Sequence, residues 1–284
     1  MKSWHIADLL LGQPAKPYCV LVLNQPINKN AMIAVEKKAA MIVCADAGAN
    51  QLLRYHKQSA SQRLPDAIIG DLDSLSHEAH EHYKQQGVKV IKDPDQYSTD
   101  FTKALVWIRR QWQKQHGHDA EIDILVMGGL GGRVDQGFSQ IHHLYLALNQ
   151  SDLLLGSMYL LSEQSLSFVL EAGENQLHVG KNVFAENIGI IPVLGKTCIS
   201  TSGLEWDVND WPTEFGAQVS TSNHIHYLQL TGHRSLFYNA RQGKPQRHQY
   251  NWQSLLLHFG RDDDPTDGLR HDREGHYCLH TWLS

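Results

Sequence analysis

The sequence predicts an α/β domain, mainly a parallel sheet with flanking helices, followed by an all-β sandwich. Three observations carry this. In the first half, short unbroken apolar runs alternate with segments whose apolar residues recur at helical spacing, the pattern of strand–helix–strand crossovers. Near Asn149–Gly156 the character changes. From Met158 onward the apolar segments are short and separated by Gly, Asn and Pro, as in a sandwich or partial barrel. The residues able to do chemistry sit where the predicted strands of the first half end, which is where open parallel sheets bind ligands. The resulting division is an α/β domain over 1–155, a β domain over 156–242, and a C-terminal extension over 243–284.

Taken in order, Tyr18–Leu23, Met41–Ala45, Ala67–Ile69, Lys89–Ile91 and Ile122–Met127 read as buried strands. Between them, 48–56 carries Leu52, Leu53 and Tyr55 among polar residues, and 76–86 reads as a polar surface helix. The segment 101–112 places Phe101, Ala104, Leu105, Ile108 and Trp112 on one stripe, and 136–149 does the same with Phe138, Ile141, Tyr145 and Leu148. In the second half the expected strands are 165–170, 176–179, 188–194, 197–201, 217–221 and 225–230. Beyond Gln242 the chain is rich in His, Arg, Asp and Gln. Trp252–Phe259 reads as a short amphipathic helix, and Arg261–Gly268 as turn-like.

Composition narrows the function classes. The chain has 284 residues, 42% hydrophobic and 19% charged, which fits a folded soluble protein. The formal net charge is −5 and no segment is strongly basic, which argues against nucleic acid as a partner. No stretch is long enough to span a bilayer, and the apolar run Ala7–Leu11 is too short for a signal-peptide core. Cys19, Cys44, Cys198 and Cys278 lack CxxC spacing, so reduced thiols and a cytoplasmic location are expected. The paired histidines, His142-His143 and His224 with His226, read as surface or core residues rather than metal ligands, since neither pair has cysteines at zinc spacing.

Three segments carry candidate chemistry. Asp46 follows one strand, and Gly70-Asp71-Leu72-Asp73-Ser74 follows another. If the second segment is extended, Asp71 and Asp73 point the same way. Two carboxylates held together repel unless a cation lies between them, and an all-oxygen set with phosphate suits magnesium. A solvated turn is the alternative. In the second segment, Asp95-Gln96-Tyr97-Ser98-Thr99-Asp100-Phe101-Thr102-Lys103, Ser98 or Thr99 can cap a helix. Asp100 then lies in its first turn and Lys103 on the same face, a setting fit for phosphates and their metal. A cap with an i,i+3 ion pair also accounts for these residues. In the third, Gly128-Gly129-Leu130-Gly131-Gly132-Arg133-Val134-Asp135-Gln136, the glycines free the backbone for close approach to a ligand, and Arg133 offers a fork of donors to phosphate oxygens. It is neither a P-loop nor a dinucleotide fingerprint.

Taken together these segments resemble the thiamine pyrophosphokinase family. The resemblance runs through Ala45-Asp46-Ala47-Gly48-Ala49-Asn50, then Pro65-Asp66 and the Gly70–Ser74 segment. It continues through Asp95-Gln96, Thr99-Asp100 and Lys103-Ala104-Leu105, then Gly131-Gly132-Arg133 with Asp135-Gln136. In the β-rich half, Gly203-Leu204 with Trp206 and Phe215-Gly216 with Val219-Ser220-Thr221-Ser222-Asn223 also look like the family. The match spans roughly residues 18 to 240; the chain after Gly243 departs from it. The resemblance implies a two-domain subunit acting as a homodimer with its site at the interface. Its reaction would be magnesium-dependent transfer of the β,γ-pyrophosphoryl unit of ATP to the hydroxyl of thiamine, releasing AMP. By the same resemblance Asp71, Asp73 and Asp100 bind Mg2+ and, with Arg133, form the catalytic set. Asp46, Asn50, Thr99, Lys103 and Asp135 lie around ATP, and Gln96 and Gln136 line the reacting region. Ser220, Ser222 and Asn223 reach thiamine from the second domain of the other subunit. Trp206 either stacks on thiamine or belongs to the core, and the general base is either Asp71 or Asp100.

Overall fold

The computed structural model describes residues 1–180 and 183–225 in full and the backbone of Ser235–Arg241 and Leu255–Gly260. The chain divides into two compact units, Pro14–Glu163 and Met1–Gln13 together with Gln164–Ser284. The N-terminal piece holds β1 (Lys2–Trp4) and α1 (Ile6–Leu10), whose Ile6, Ala7, Leu9 and Leu10 are buried. The run considered as a signal core is thus a short helix of the folded unit.

The unit Pro14–Glu163 alternates as predicted. It contains β2 (Tyr18–Val22), α2 (Lys29–Glu36), β3 (Met41–Ala45), α3 (Gly48–Gln58), β4 (Ala67–Gly70), α4 (His77–Gln85), β5 (Lys89–Lys92), α5 (Asp100–His116), β6 (Asp123–Met127), α6 (Val134–Asn149) and β7 (Met158–Leu161). The strands lie side by side as β7-β6-β2-β3-β4-β5, every neighbouring pair parallel. Helices α3 and α5 both pack on β3. All five residues of β2 and of β3 are buried, which is why these strands read as continuous apolar runs rather than alternating ones. Each Val, Leu, Ile or Met among them contributes on the order of 1.5–3 kcal/mol through burial. The outer strand β5 has no fully buried residue, and its exposed Lys89 and Lys92 blunt a pairing edge. The chain steps outward from β2 to β5, and α5 then returns it to β6 beside β2, so the strand order reverses there. The carboxyl ends of β3, β4 and β6 all belong to the same edge.

The other unit contains β8 (Leu166–Leu170), β9 (Gly173–His178), β10 (Asn187–Ile191), β11 (Thr197–Ser202), β12 (Trp211–Thr213), β13 (Ser220–His224), β14 (Ser235–Arg241) and β15 (Leu255–Gly260). One sheet runs β1-β9-β14-β11-β12, and an antiparallel set runs β13-β10-β15-β8. Trp4 of β1 lies against Phe168 of β8 with ring centroids 5.1 Å apart, joining the two as a sandwich. The Trp4 indole N–H donates to the buried Asn175 side chain at 3.0 Å. An α/β unit and an all-β sandwich are therefore both present, as the sequence predicts.

The structure differs from the sequence reading at several points. β7 follows residue 155 yet extends the parallel sheet, and β1 precedes that sheet yet pairs with β9. Leu255–Gly260, expected within a helix over 252–259, is a strand inserted between β10 and β8. An unbroken Leu-Leu-Leu run is a pattern for which periodicity does not separate strand from helix. Most of the expected strand 225–230, and the turn-like 261–268, lie outside the described residues.

Candidate active site

The edge formed by the ends of β3 and β4 gathers three carboxylates. Asp46, Asp71 and Asp100 each place an oxygen within 4.8 Å of the others, a group able to hold a metal ion. Asp46 sits just past β3 with φ +40° and is almost fully buried. Its Oδ2 accepts from the Ser74 amide at 3.3 Å, while its Oδ1 is buried with no hydrogen-bond partner. Burial, and then the charge of Asp100, push the Asp46 carboxyl up to about 6. Such an orphaned buried carboxylate oxygen facing two further carboxylates is costly unless a cation completes it. Gly70 permits the arrangement, since a Cβ there would lie 2.7 Å from the Asp46 Cβ and 3.0 Å from an Asp100 oxygen.

Asp73 stands outside this group. The expectation of two carboxylates on one face required an extended segment, but Leu72 has φ +65° and the chain turns there. Asp73 is exposed and its Oδ1 accepts from the Ser74 hydroxyl at 2.9 Å. Asp46, expected near the nucleotide, takes the third place instead.

The helix α5 brings the third carboxylate. Thr99 is its cap: the hydroxyl oxygen accepts from the Thr102 amide at 3.1 Å, fixing the first turn. Asp100 then accepts from the Asp71 amide at 3.2 Å and from Lys103 Nζ at 3.1 Å. Burial draws the Lys103 ammonium down, but the hydrogen bond and charge of Asp100, with Asp71 and Asp93, outweigh it and hold the group above its ordinary value. The site therefore keeps a buried positive charge beside its carboxylates. Asn50, on α3, ties down the Gly70–Ser74 loop. Its amide donates to the Ser74 carbonyl at 3.0 Å, and its oxygen accepts from the Ser76 amide and hydroxyl at 3.0 and 2.8 Å. Gln96 is exposed in the turn before α5, where Asp95 accepts from the Tyr97 amide at 2.9 Å.

The glycine turn follows β6. Gly128 has φ +72°, and a Cβ there would meet the Gln25 carbonyl oxygen at 2.5 Å, so no other residue fits. The Leu130 amide donates to the buried Gln140 side chain at 2.5 Å. Arg133 and Asp135 face each other as a two-point pair, Nε to Oδ1 3.1 Å and Nη2 to Oδ2 2.6 Å, both exposed. Gln136 is exposed beside them, as are Val134 and Phe138. A cavity of about 430 Å³ lined by Met41, Asp66, Lys89, Trp107 and Gln111 lies at the start of β3 and β5, the opposite ends of the strands from the carboxylates.

In the β-rich unit, Ser220 and Ser222 lie on β13 with Ser222 exposed. Asn223 is buried and spends its side chain on Trp206, accepting from the Trp206 amide at 3.2 Å and donating to its carbonyl at 2.8 Å. Trp206 itself is 53% exposed, so it is not a core residue; its ring lies 5.1 Å from that of His224. The sequence reading took His143 as a surface or core histidine and gave it no part in the site. It is buried and hydrogen-bonded to both Thr99 and Thr102. The stripe expected on this helix left His143 out and included Phe138, which is exposed.

Two family models match the chain: thiamin pyrophosphokinase, catalytic domain, over residues 33–155, and thiamin pyrophosphokinase, vitamin B1 binding domain, over residues 174–229. The thiamine pyrophosphokinase of Saccharomyces cerevisiae is 32% identical, the match covering 77% of this chain and 82% of the yeast protein. Thiamine pyrophosphokinase 1 of Arabidopsis thaliana is 30% identical over 75% of this chain and 81% of its own. Among solved structures, thiamin pyrophosphokinase from Candida albicans superposes with a TM-score of 0.76 at 26% identity, covering 92% of this chain and 93% of that one. The Bacillus subtilis structure, at 16% identity and TM-score 0.64, shares the fold.

Proposed function

Because the chain belongs to the thiamine pyrophosphokinase family, we propose that its carboxylate edge carries magnesium-dependent transfer of pyrophosphoryl from ATP to the thiamine hydroxyl, giving thiamine diphosphate and AMP. The observation that carries this reading is the convergence of Asp46, Asp71 and Asp100, with the Asp46 Oδ1 buried and unpartnered. An all-carboxylate set of this kind suits magnesium, which keeps further positions for phosphate oxygens and water. When bound, the ion neutralises charge on the polyphosphate.

The chain's own residues do the rest. Lys103 presents a buried cation beside Asp100, and the α5 N-terminus directs amide dipoles toward the same edge. Arg133 and Asp135, paired with each other, flank the glycine turn; Arg133 exchanges its partner for phosphate oxygens when ATP enters. Asn50 holds the loop bearing Asp71 and Asp73, and the exposed Gln96 and Gln136 line the reacting region. Holding the attacking oxygen in line with the leaving group accounts for much of the acceleration in such reactions. The thiamine hydroxyl loses its proton late, to a carboxylate of the cluster.

Thiamine is taken by the β-rich unit, where Ser220, Ser222 and the Asn223-anchored, exposed Trp206 offer polar contacts and a stacking face. In the homodimer we propose, this occurs across the subunit interface, and the exposed Val134 and Phe138 supply apolar surface for that contact. Among the described residues no helix is long and apolar enough to cross a membrane. The buried free thiols of Cys19 and Cys44 support a cytoplasmic location. Incubation with ATP, magnesium and thiamine tests the reading: thiamine diphosphate and AMP are expected in equal amounts. ADP in place of AMP would mark an ordinary kinase, and no product would end the proposal.

A further inference from the structure

We propose that His143, on α6, is a positioning residue that fixes the first turn of α5, and with it Thr99, Asp100 and Lys103. The geometry is a connected set of hydrogen bonds that ends on the Ser139 carbonyl. The imidazole Nδ1 lies 2.6 Å from the Ser139 carbonyl, an acceptor only, so Nδ1 carries the proton and Nε2 accepts. The Thr102 hydroxyl lies 2.9 Å from Nε2 and the Thr99 hydroxyl 3.1 Å from both Nε2 and the Thr102 oxygen. The Thr102 amide donates to the Thr99 oxygen at 3.1 Å. Nε2 accepts from one threonine hydroxyl, the shorter contact being to Thr102, the second hydroxyl donates to the first, the Thr102 amide donates to the Thr99 oxygen, and His143 Nδ1–H donates to Ser139. The ring also stacks on Phe101, centroids 4.4 Å apart and planes 10° from parallel.

The consequence is positional. A threonine cap on its own is free to rotate, whereas here two hydroxyls of the first turn are tied to a buried ring on another helix. Asp100 and Lys103 lie on that turn, so their placement depends on α6. His143 touches no reacting atom and acts through the threonines.

The test uses the full chain. The kinetic arm rests on the function proposed above; the spectroscopic arm does not. Nitrogen NMR of the histidine-labelled protein, with the His143 signals identified by their loss in His143→Gln, is expected to show a neutral ring protonated at Nδ1. In kinetics, His143→Phe keeps the stack and loses both hydrogen bonds, and kcat/KM for ATP is expected to fall about tenfold. His143→Gln, which restores an acceptor at the Nε2 position, recovers to within about threefold of the parent, whereas His143→Asn, which restores only the donor toward Ser139, does not. Should the Phe variant not fold, Thr102→Val removes the hydroxyl closer to Nε2 and is expected to show the same loss. A ring protonated at Nε2, wild-type kcat/KM in either of those two variants, or equal recovery by Asn and Gln overturns the proposal. If the unmodified chain forms no thiamine diphosphate, the functional reading fails by itself. The NMR result and the dissociation constant for magnesium–ATP then decide the role of His143.

Discussion

The acidic edge and the glycine turn lie at the same edge of the parallel sheet, with β2 between them, yet they are built on opposite plans. At the edge, Asp46 is buried, Asp100 is bonded to the Asp71 amide and to Lys103, and Asn50 fastens the loop. At the turn, the side chains of Arg133 and Asp135 are exposed and paired with one another. A site for a divalent cation gains from carboxylates fixed in advance, because their mutual repulsion is already paid for in the fold. A clamp on a flexible polyphosphate gains from side chains that can change partners. The first is expected to control turnover, the second ATP affinity.

The largest effect that would break this comparison is at Asp71. Asp71→Asn is expected to lower kcat by at least about a hundredfold with little change in melting temperature; near-normal turnover would remove Asp71 from the metal site. Next is Gly70→Ala, whose methyl would overlap Asp46 and Asp100. A loss of about 1–3 kcal/mol of stability, read from urea unfolding, together with a large fall in kcat is expected. Asp46→Asn sharpens the contrast, because it removes a buried charge facing two others. In magnesium-free buffer at neutral pH this variant is expected to melt higher than its parent and to respond less to added magnesium. Arg133→Ala should raise KM for ATP about tenfold while leaving the melting temperature essentially unchanged, since its ion pair is exposed. If its loss appears in kcat instead, the two regions do not divide the work as described.

A smaller effect concerns the helix behind the loop. His56 on α3 is buried beside Tyr83 of α4, and neither ring nitrogen nor the Tyr83 hydroxyl has a hydrogen-bond partner. Burial, followed by the nearby His82, lowers the His56 pKa below its ordinary value. The unfolded chain therefore takes up a proton that the folded one refuses, and stability is lost as pH falls below the unfolded value of about 6.5. His56→Phe should flatten that part of the stability–pH curve; an unchanged slope would show that His56 does not cause it.

The strands of the α/β unit were legible because β2 and β3 are buried over their whole length and leave unbroken apolar runs. A cap at Ser98 or Thr99 was legible because capping is local chemistry, decided within three residues, and the structure selects Thr99. Asp73 was misplaced because its direction depends on one dihedral angle at Leu72, which residue type does not dictate. That Asp46 and Asp71 share an edge was legible from their places after predicted strands, whereas their closeness to Asp100 was not, since periodicity says nothing of distance. The same holds for His143, whose partners lie more than forty positions away, and for the strand read as a helix at 255–260.

That last strand bears on how the protein is made. β15 lies between β10 and β8, and β1 pairs with β9, so the β-rich unit draws on both ends of the chain. Pro14–Glu163 has all its strands once residue 163 has left the ribosome. The first residues, by contrast, must wait for roughly 250 more before their sheets can be completed, on the order of ten to fifty seconds at about 5–20 residues per second. During that interval Trp4 of β1 and Ile6, Ala7, Leu9 and Leu10 of α1 lack the strands that bury them in the finished unit.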